Sequence, residues 1–417
     1  MHLRLDFFTI KIYVELDVRT ESPFWLMKSG YLEVYSALSE EITVNFAIMG
    51  GGISGALQAW HLSQKGATVA LVDRRHLGMG STCASTALLQ YDIDKSLHEL
   101  IEIVGEEKAV RAYEMTLDAL LGLEKIAKNL KIENEFERCS SVYLARCKKD
   151  ISFLEKECRI REKYGYEVEL WDAEKFETHF PFSVPSALYT KPAARVDPYR
   201  LTHGLLQDAL KRGVKIFDKT DVENIEYRKN GVTLHTSQGF NINAKKLVIA
   251  CGYESVKYIP FQIGLLTSTY ALTSEPIRKK EIWFENCLFW DTGNPYIYGR
   301  ITADNRIIFG GGDESFYNPK RRDKLLKRKT GELTARFENM FPDLPFEVDY
   351  SWAGTFIETD DGLPFIGAIK QIPHTFFALG YGGNGITFSQ IAVEILCDLL
   401  MGKKNKDAEI YSFERKR

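Results

Sequence analysis

The sequence predicts an α/β protein: a parallel sheet whose strands end in glycine turns, interrupted by α+β material built on an antiparallel sheet. Three stretches carry that expectation. VNFAIMGGGISG, Val44 to Gly55, is an apolar run entering a glycine turn, and a helical pattern follows to Lys65. KLVIACG, Lys246 to Gly252, is a wholly apolar run ending in a small residue and glycine, as a strand buried on both faces should be. Phe376 to Leu379 runs into GYGGNGIT, Gly380 to Thr387, and a helical pattern from Phe388 to Met401. Between these stretches the pattern turns to hairpins, marked by Lys229-Asn230-Gly231 and Asp304-Asn305.

The first stretch is the most informative. After the helix, Ala67 to Val72 reads as a second strand and ends at Asp73. Strand, glycine turn, helix, strand and acid together form the Rossmann-type dinucleotide fingerprint. Gly50 permits the turn, Gly52 lets a pyrophosphate approach the backbone, and Gly55 lets the helix pack close to the strand. The helix start offers N–H groups and a partial positive charge to phosphate. Asp73 can accept hydrogen bonds from ribose hydroxyls, which favours a ribose without a 2′-phosphate although Arg74 and Arg75 adjoin it.

Length and composition bound the rest. A chain of 417 residues exceeds one ordinary core, so two domains are expected. The formal charge of −3 argues against nucleic acid as a partner. No apolar run reaches membrane-spanning length, and Met1 to Val18 mixes charges among its apolar residues, unlike a secretory leader. Seven scattered cysteines include no CxxC pair, so neither a metal site nor a disulfide framework is suggested, and a cytoplasmic location is expected.

In chain order, Ser22 to Gly30 (SPFWLMKSG) reads as an arm packed on the domain surface. Gly78 to Thr82 forms a loop whose Ser81 and Thr82 can cap a helix or meet phosphate. Ser96 to Leu130 reads as two helices broken near Gly105, and Ile151 to Tyr164 as a charged helix. Tyr189 to Pro198 (YTKPAARVDP) reads as a crossing between domains, because two prolines interrupt it. A helix from Tyr199 to Lys211 precedes strands at Val214 to Phe217, Val222 to Tyr227 and Val232 to Thr236. Phe261 to Pro276 and Ile282 to Phe289 read as strands of the second sheet. Gly310 to Ser315 (GGGDES) reads as a strand end and loop. PKRRDKLLKRK, Pro319 to Lys329, reads as a solvated helix face.

Four stretches in order resemble one family. GGGISG with Asp73, GSTCASTA (Gly80 to Ala87), VIACG (Val248 to Gly252), and TDDGLPFIG with LGYGGNGIT match the FAD-dependent oxidoreductases of the D-amino-acid oxidase type. The resemblance spans residues 44 to 402. It implies a Rossmann-type FAD-binding domain, discontinuous over 44–135, 197–255 and 352–417. An inserted α+β substrate domain on an antiparallel sheet would occupy 136–196 and 256–351, after an N-terminal arm, 1–43. It also implies that Gly50, Gly52, Ile53, Ser54 and Gly55 hold the pyrophosphate. Asp73 and Arg74 would serve the adenosine ribose, Ser81 and Thr82 phosphate or flavin, and the Val222 backbone adenine. Gly252 would border the cofactor. Asp361, Gly362 and Gly383, Asn384, Gly385, Ile386 and Thr387 would line the isoalloxazine and ribityl chain. No cysteine falls near the AG strand that carries covalent flavin in some relatives, so noncovalent FAD is expected.

The departures bear on substrate. Where amino-acid oxidases of the family often place an arginine after AG, this chain has Thr355 and Phe356. Arg300, in YIYGRITADNR, resembles the arginine of amine-oxidising relatives. Tyr298, Arg300 and Tyr381 are the candidate substrate contacts, and no catalytic acid or base is assigned. The reading is hydride removal from a CH–NH group of an amine or amino-acid-like substrate, with dioxygen or another acceptor. A 2-hydroxy acid as substrate, a flavoprotein without turnover, and NAD(P) as cofactor are the alternatives.

Overall fold

A computed structural model describes residues 17–20, 22–279 and 281–415. The expected absence of chemistry in Met1 to Val18 lies almost wholly outside the described residues. β1 (Ile42–Met49) is central to the first sheet, parallel to β2 (Val69–Val72) on one side and β10 (Asn241–Ile249) on the other. β7 (Lys215–Phe217) extends the β2 side, and β17 (Thr375–Leu379) runs parallel to the end of β10. β16 (Phe365–Ala368) closes that edge antiparallel. The hairpin β8 (Val222–Arg228) and β9 (Gly231–Thr236) pairs with the start of β10.

Helices cover this sheet because their apolar residues recur at helical spacing. α2 (Ile53–Gln64), α4 (Glu106–Asn129), α7 (Pro198–Lys211) and α9 (Gly385–Leu400) bury Leu57, Leu120, Leu205 and Ile391 in one core with Ile48 and Leu71 of the sheet. A second core on the opposite face holds Val44, Leu247, Phe365 and Phe413. Local chemistry sets the ends. Ser96 and Glu99 form a capping box at α3 (Leu97–Val104), and the Asp197 side chain accepts from Tyr199 and Arg200 N–H, both at 2.9 Å, before Pro198 of α7.

The second sheet runs β15 (Val348–Glu358), β11 (Leu265–Ser274), β14 (Ile307–Glu314), β13 (Ile297–Ile301), β12 (Leu288–Asp291), β4 (Glu137–Leu144), β6 (Ser186–Arg195) and β3 (Leu88–Gln90), with β5 (Glu167–Asp172) on β6. It is antiparallel except where β4 meets β12. α8 (Pro319–Met340) packs Leu333 and Phe337 onto its core. α5 (Ile151–Lys163) and the short α6 (Ala173–Glu177) lie beside β5 and β6. Sheet membership crosses two expected boundaries: β3, and β15 beyond Trp352, pair within this second sheet.

Several local expectations are corrected. Tyr189 to Pro198 is not a plain crossing, because most of it is β6. Pro192 falls where the β4–β6 register shifts between Cys139 and Ser141, so its missing N–H breaks no regular ladder. Ile282 to Phe289 is largely irregular, and only its last residues enter β12. GGGDES is no loop: β14 continues through Glu314. The basic run on α8 is mostly solvated, but Arg322 and Lys329 are buried by specific partners. The Ser22 to Gly30 arm contains α1 (Phe24–Ser29), and it is anchored more deeply than a surface arm. Phe24 and Trp25 are fully buried beside Tyr199 and Trp352, where the Trp25 indole donates to Ser85 O at 2.6 Å.

The last described residue is locked by charge. Arg415 pairs with Asp361 at 2.8 and 3.0 Å, both side chains being 5% exposed, and it also donates to Leu363 O and Pro364 O at 2.7 Å. Removing one partner strands the other's charge in the interior. Arg415→Met is expected to destabilise the fold by about 3–5 kcal/mol. The double variant Asp361→Leu/Arg415→Met should recover most of that loss, as measured by denaturant unfolding of all three proteins.

Candidate functional site

The carboxyl ends of β1, β2 and β10 open onto one cavity of about 920 Å³, which continues between the two sheets to the start of α9. Backbone contact decides the geometry at the first end. Gly50, at φ +107°, lies so close to β10 that a Cβ would collide with Ala250 O, and a Cβ on Gly55 would collide with Gly50 O. Only glycines let strand, turn and helix close up in this way. A Cβ on Gly52 would meet Thr82 Oγ1 at 2.9 Å, and that oxygen accepts the Ile53 N–H at 3.0 Å. Thr82 therefore rests on the helix start, which has no side-chain N-cap of its own.

Asp73 lies at the end of β2, on the cavity wall. Its carboxylate accepts the Gly51 N–H at 2.7 Å and the Arg75 N–H at 2.8 Å, so it braces the turn. Burial raises its pKa above the usual carboxylate value against those bonds. Arg74 and Arg75 are both bound by Glu254, at 2.5 and 2.8 Å. An arginine engaged by a carboxylate is a poor receptor for a 2′-phosphate, which weakens the NADP alternative.

At the far end, two loops hold each other. Asp94 accepts the Gly383 N–H at 3.0 Å, and Asn384 donates its side-chain amide to Asp92 O at 2.7 Å. Behind them Arg161 is sandwiched between Asp92 and Glu157, the latter at 2.6 Å. Although burial opposes it, this pairing and the N–H groups of Leu97 and His98 hold the Glu157 carboxyl down to about 2. Because the Asn384 side chain is turned to Asp92, α9 too has no side-chain cap, and its first turn, Gly385 to Thr387, faces the cavity.

The structure brings most of the sequence candidates to this one cavity. Gly50, Gly52, Ile53, Ser54, Asp73 and Arg74 line its first end with Ser81, Thr82, Val222 and Gly252. Gly362 and Gly383, Asn384, Gly385, Ile386 and Thr387 line the far end, with Tyr298 and Tyr381 on the wall. Three lie elsewhere. Gly55 is behind the turn and serves packing. Asp361 is turned away into its pair with Arg415. Arg300 is fully buried off the wall, and its guanidinium donates to Thr86 O at 3.1 Å, Ala87 O at 2.7 Å and Val196 O at 3.0 Å, over the Trp25 ring. Burial lowers its pKa to about 9. It is a clamp between β13 and the segments around it, and it is withdrawn as a substrate contact.

Sequence reasoning passed over Asp94, Asp313, Glu358 and Tyr296, all on the same wall. The available signals were slight: an acid-rich YDIDK after the second motif, and an aspartate directly after three glycines. Among the described residues, Cys251 is the one cysteine on the wall, and its thiol is turned to Met49 O at 3.2 Å.

The cavity accommodates a dinucleotide on this structure's own evidence. It is continuous from Gly52 to Gly383, two helix starts whose own N-cap side chains make no cap bond face it, and the turn leaves no room for a Cβ where phosphates would pass. Comparison with known proteins agrees. The family model described as FAD dependent oxidoreductase (DAO) matches residues 45–399. The probable oxidoreductase OrdL of Haemophilus influenzae is 23% identical, over 85% of this chain and 82% of the relative. The γ-glutamylputrescine oxidoreductase of Escherichia coli is 23% identical, over 91% and 89%. The crystal structure of glycine oxidase from Geobacillus kaustophilus superposes with a TM-score of 0.76 at 20% identity, covering 90% of this chain and 99% of that one, which establishes a shared fold.

Arg300→Met removes three carbonyl partners at once. It is expected to cost roughly 3 kcal/mol or more of stability, while the KM of the folded fraction stays within about twofold, since a lost pair to substrate would cost tenfold per ~1.4 kcal/mol. Chemical unfolding and steady-state kinetics on the same preparation check both parts.

Proposed function

From the premise that this chain belongs to the FAD-dependent oxidoreductase (DAO) family, we propose that it oxidises a CH–NH group of an amine, releasing an imine that water then hydrolyses. The observation that supports this best is the single cavity joining the β1–α2 turn to the α9 start, with tyrosines and carboxylates on its far wall and, among the described residues, no unpaired guanidinium there. FAD, when bound, supplies the hydride acceptor.

The chain's own residues bind and orient. The Gly50–Gly52 turn and the start of α2 receive the phosphates, and Asp73 receives ribose hydroxyls. The start of α9 brings the positive end of a helix to where negative charge develops on reduction. Tyr298 and Tyr381 wall the reacting carbon from water. Thr355 and Phe356, also on the wall, cannot grip a carboxylate as a guanidinium would. Arg322 sits behind Thr355, bonded to its Oγ1 at 3.2 Å, and is paired with Asp17 and Asp323 at 3.1 and 2.8 Å. Among the described residues, these side chains therefore offer no free guanidinium to the carboxylate of an amino acid or a 2-hydroxy acid. The same reading takes the FAD as noncovalent, since the Cys251 thiol faces a backbone carbonyl. It places the enzyme in a reducing compartment, all seven cysteines being free thiols. Among the described residues, no helix is long and apolar enough to cross a membrane.

The purified protein should be yellow and release its flavin on acid precipitation. Anaerobic addition of amines should bleach the flavin band, whereas 2-hydroxy acids should leave it. Bleaching by hydroxy acids alone would overturn the assignment. Asp73→Ala should weaken FAD binding about tenfold, ~1.4 kcal/mol, measured by fluorescence titration of the apoprotein with FAD.

A further inference from the structure

The far wall of the cavity carries a carboxylate that forms no ion pair among the described residues. Asp313 lines the cavity from the end of β14, and neither of its buried carboxylate oxygens has a hydrogen-bond partner. The Thr269 hydroxyl faces it and favours its charged form, but brings no charge of its own. Its charged neighbours have mostly the wrong sign. Glu358 and Asp94 face it with negative charge, and the opposing cation is Lys329. Lys329 is already engaged, with Nζ donating to Gly312 O at 2.7 Å and lying 2.8 Å from Glu314. Burial first, and then Glu358 and Asp94, push Asp313 up to about 7.

An unpaired buried carboxylate costs several kcal/mol unless something compensates it. Two tyrosines stand near it. Tyr296 and Tyr298 stand with ring centroids 5.8 Å apart, and the Tyr298 ring lies against Gly310, where a Cβ would collide with it. The glycine run before Asp313 thus seats an aromatic beside the carboxylate. A carboxylate with two tyrosines beside it is a receptor for an alkylammonium, which it would meet by charge while its carbon chain lies against the rings.

We propose that this recess selects an oligoamine: a substrate that carries, besides the nitrogen being oxidised, a second nitrogen held as an ammonium with Asp313 as its counter-ion. The inference rests on the amine-oxidation reading and adds the substrate class to it. The carbon beside the reacting nitrogen gives up hydride only when that nitrogen is neutral, so the charge that Asp313 binds belongs to the other nitrogen. An ω-amino acid would bring a further negative charge to a wall that already holds Asp94, Asp313 and Glu358.

The test compares matched probes on the holoenzyme. Alkane-α,ω-diamines from butane-1,4-diamine to hexane-1,6-diamine are titrated calorimetrically into the dithionite-reduced protein, which cannot turn them over. The n-alkylamine and the ω-amino acid of equal length are titrated alongside. At the best length the diamine should bind at least about tenfold tighter than the alkylamine, ~1.4 kcal/mol, and the ω-amino acid should bind weakest. In Asp313→Asn the diamine should lose about tenfold or more, whereas Asp313→Glu should keep the preference. Alkylamine or ω-amino acid binding as tight as diamine in the unsubstituted protein overturns the proposal without recourse to any variant. Anaerobic bleaching separates the two readings. If monoamines bleach the flavin as fast as diamines, oligoamine selectivity falls while amine oxidation stands. If diamines bind through Asp313 and no amine bleaches the flavin, the reaction reading falls while the cation recess stands.

Discussion

Everything in the fold that concerns the cofactor depends on how closely backbones approach at the β1–α2 turn. Gly50 lies against Ala250 of the segment after β10, and Gly55 lies against Gly50. A methyl group at either place would push strand, turn and helix apart. The start of α2 and the carboxyl end of β10 would then no longer face one opening. The strand ends are apolar and fully buried up to that point, so the sheet has no freedom to relax around a larger side chain.

The other end of the cavity is held by polar chemistry. Asn384 reaches Asp92 O, Asp94 reaches Gly383 N–H, and Arg161 fixes the segment from behind through Asp92 and Glu157. Buried charge of this kind is expensive unless satisfied, and here Arg161 is matched by Asp92 and Glu157, while Asp94 rests on a backbone N–H. The consequence is that the start of α9 keeps its orientation while its own first-turn N–H groups face the cavity. A helix of sixteen residues packed into the main core makes a rigid mount for that end.

Between these two fixed ends, the wall contributed by the second sheet decides what kind of molecule can sit there. The guanidinium groups that might have met a carboxylate are committed. Arg300 holds three backbone carbonyls, Arg322 holds Asp17 and Asp323, and Arg161 holds Asp92 and Glu157. The acids Asp94, Asp313 and Glu358 remain on the surface of the cavity. The fold thus spends these arginines on architecture and leaves Asp313 without an ion pair among the described residues.

The sequence by itself determined the family, the nucleotide unit and the order of most elements, because those depend on local chemistry: glycine where a turn admits no Cβ, apolar runs where a strand is buried, helical spacing where a helix packs. Gly50, Gly52, Asp73 and the GYGGNGIT loop could be read in this way, and the structure puts them on one cavity. It could not decide contacts between segments far apart in the chain. Arg300 looked like a ligand contact because the sequence cannot show that Thr86, Ala87 and Val196 bring three carbonyls to it. Asp361 looked like a flavin neighbour because Arg415 lies 54 residues away. Pro192 looked like a break until the register shift between β4 and β6 gave it a place. Asp313 looked like the end of a glycine loop until β14 continued through it and turned it to the cavity beside Tyr296, Tyr298 and Thr269. Whether a charged side chain is spent on the fold or left for a ligand depends on which partners reach it, and only the tertiary structure brings those partners together.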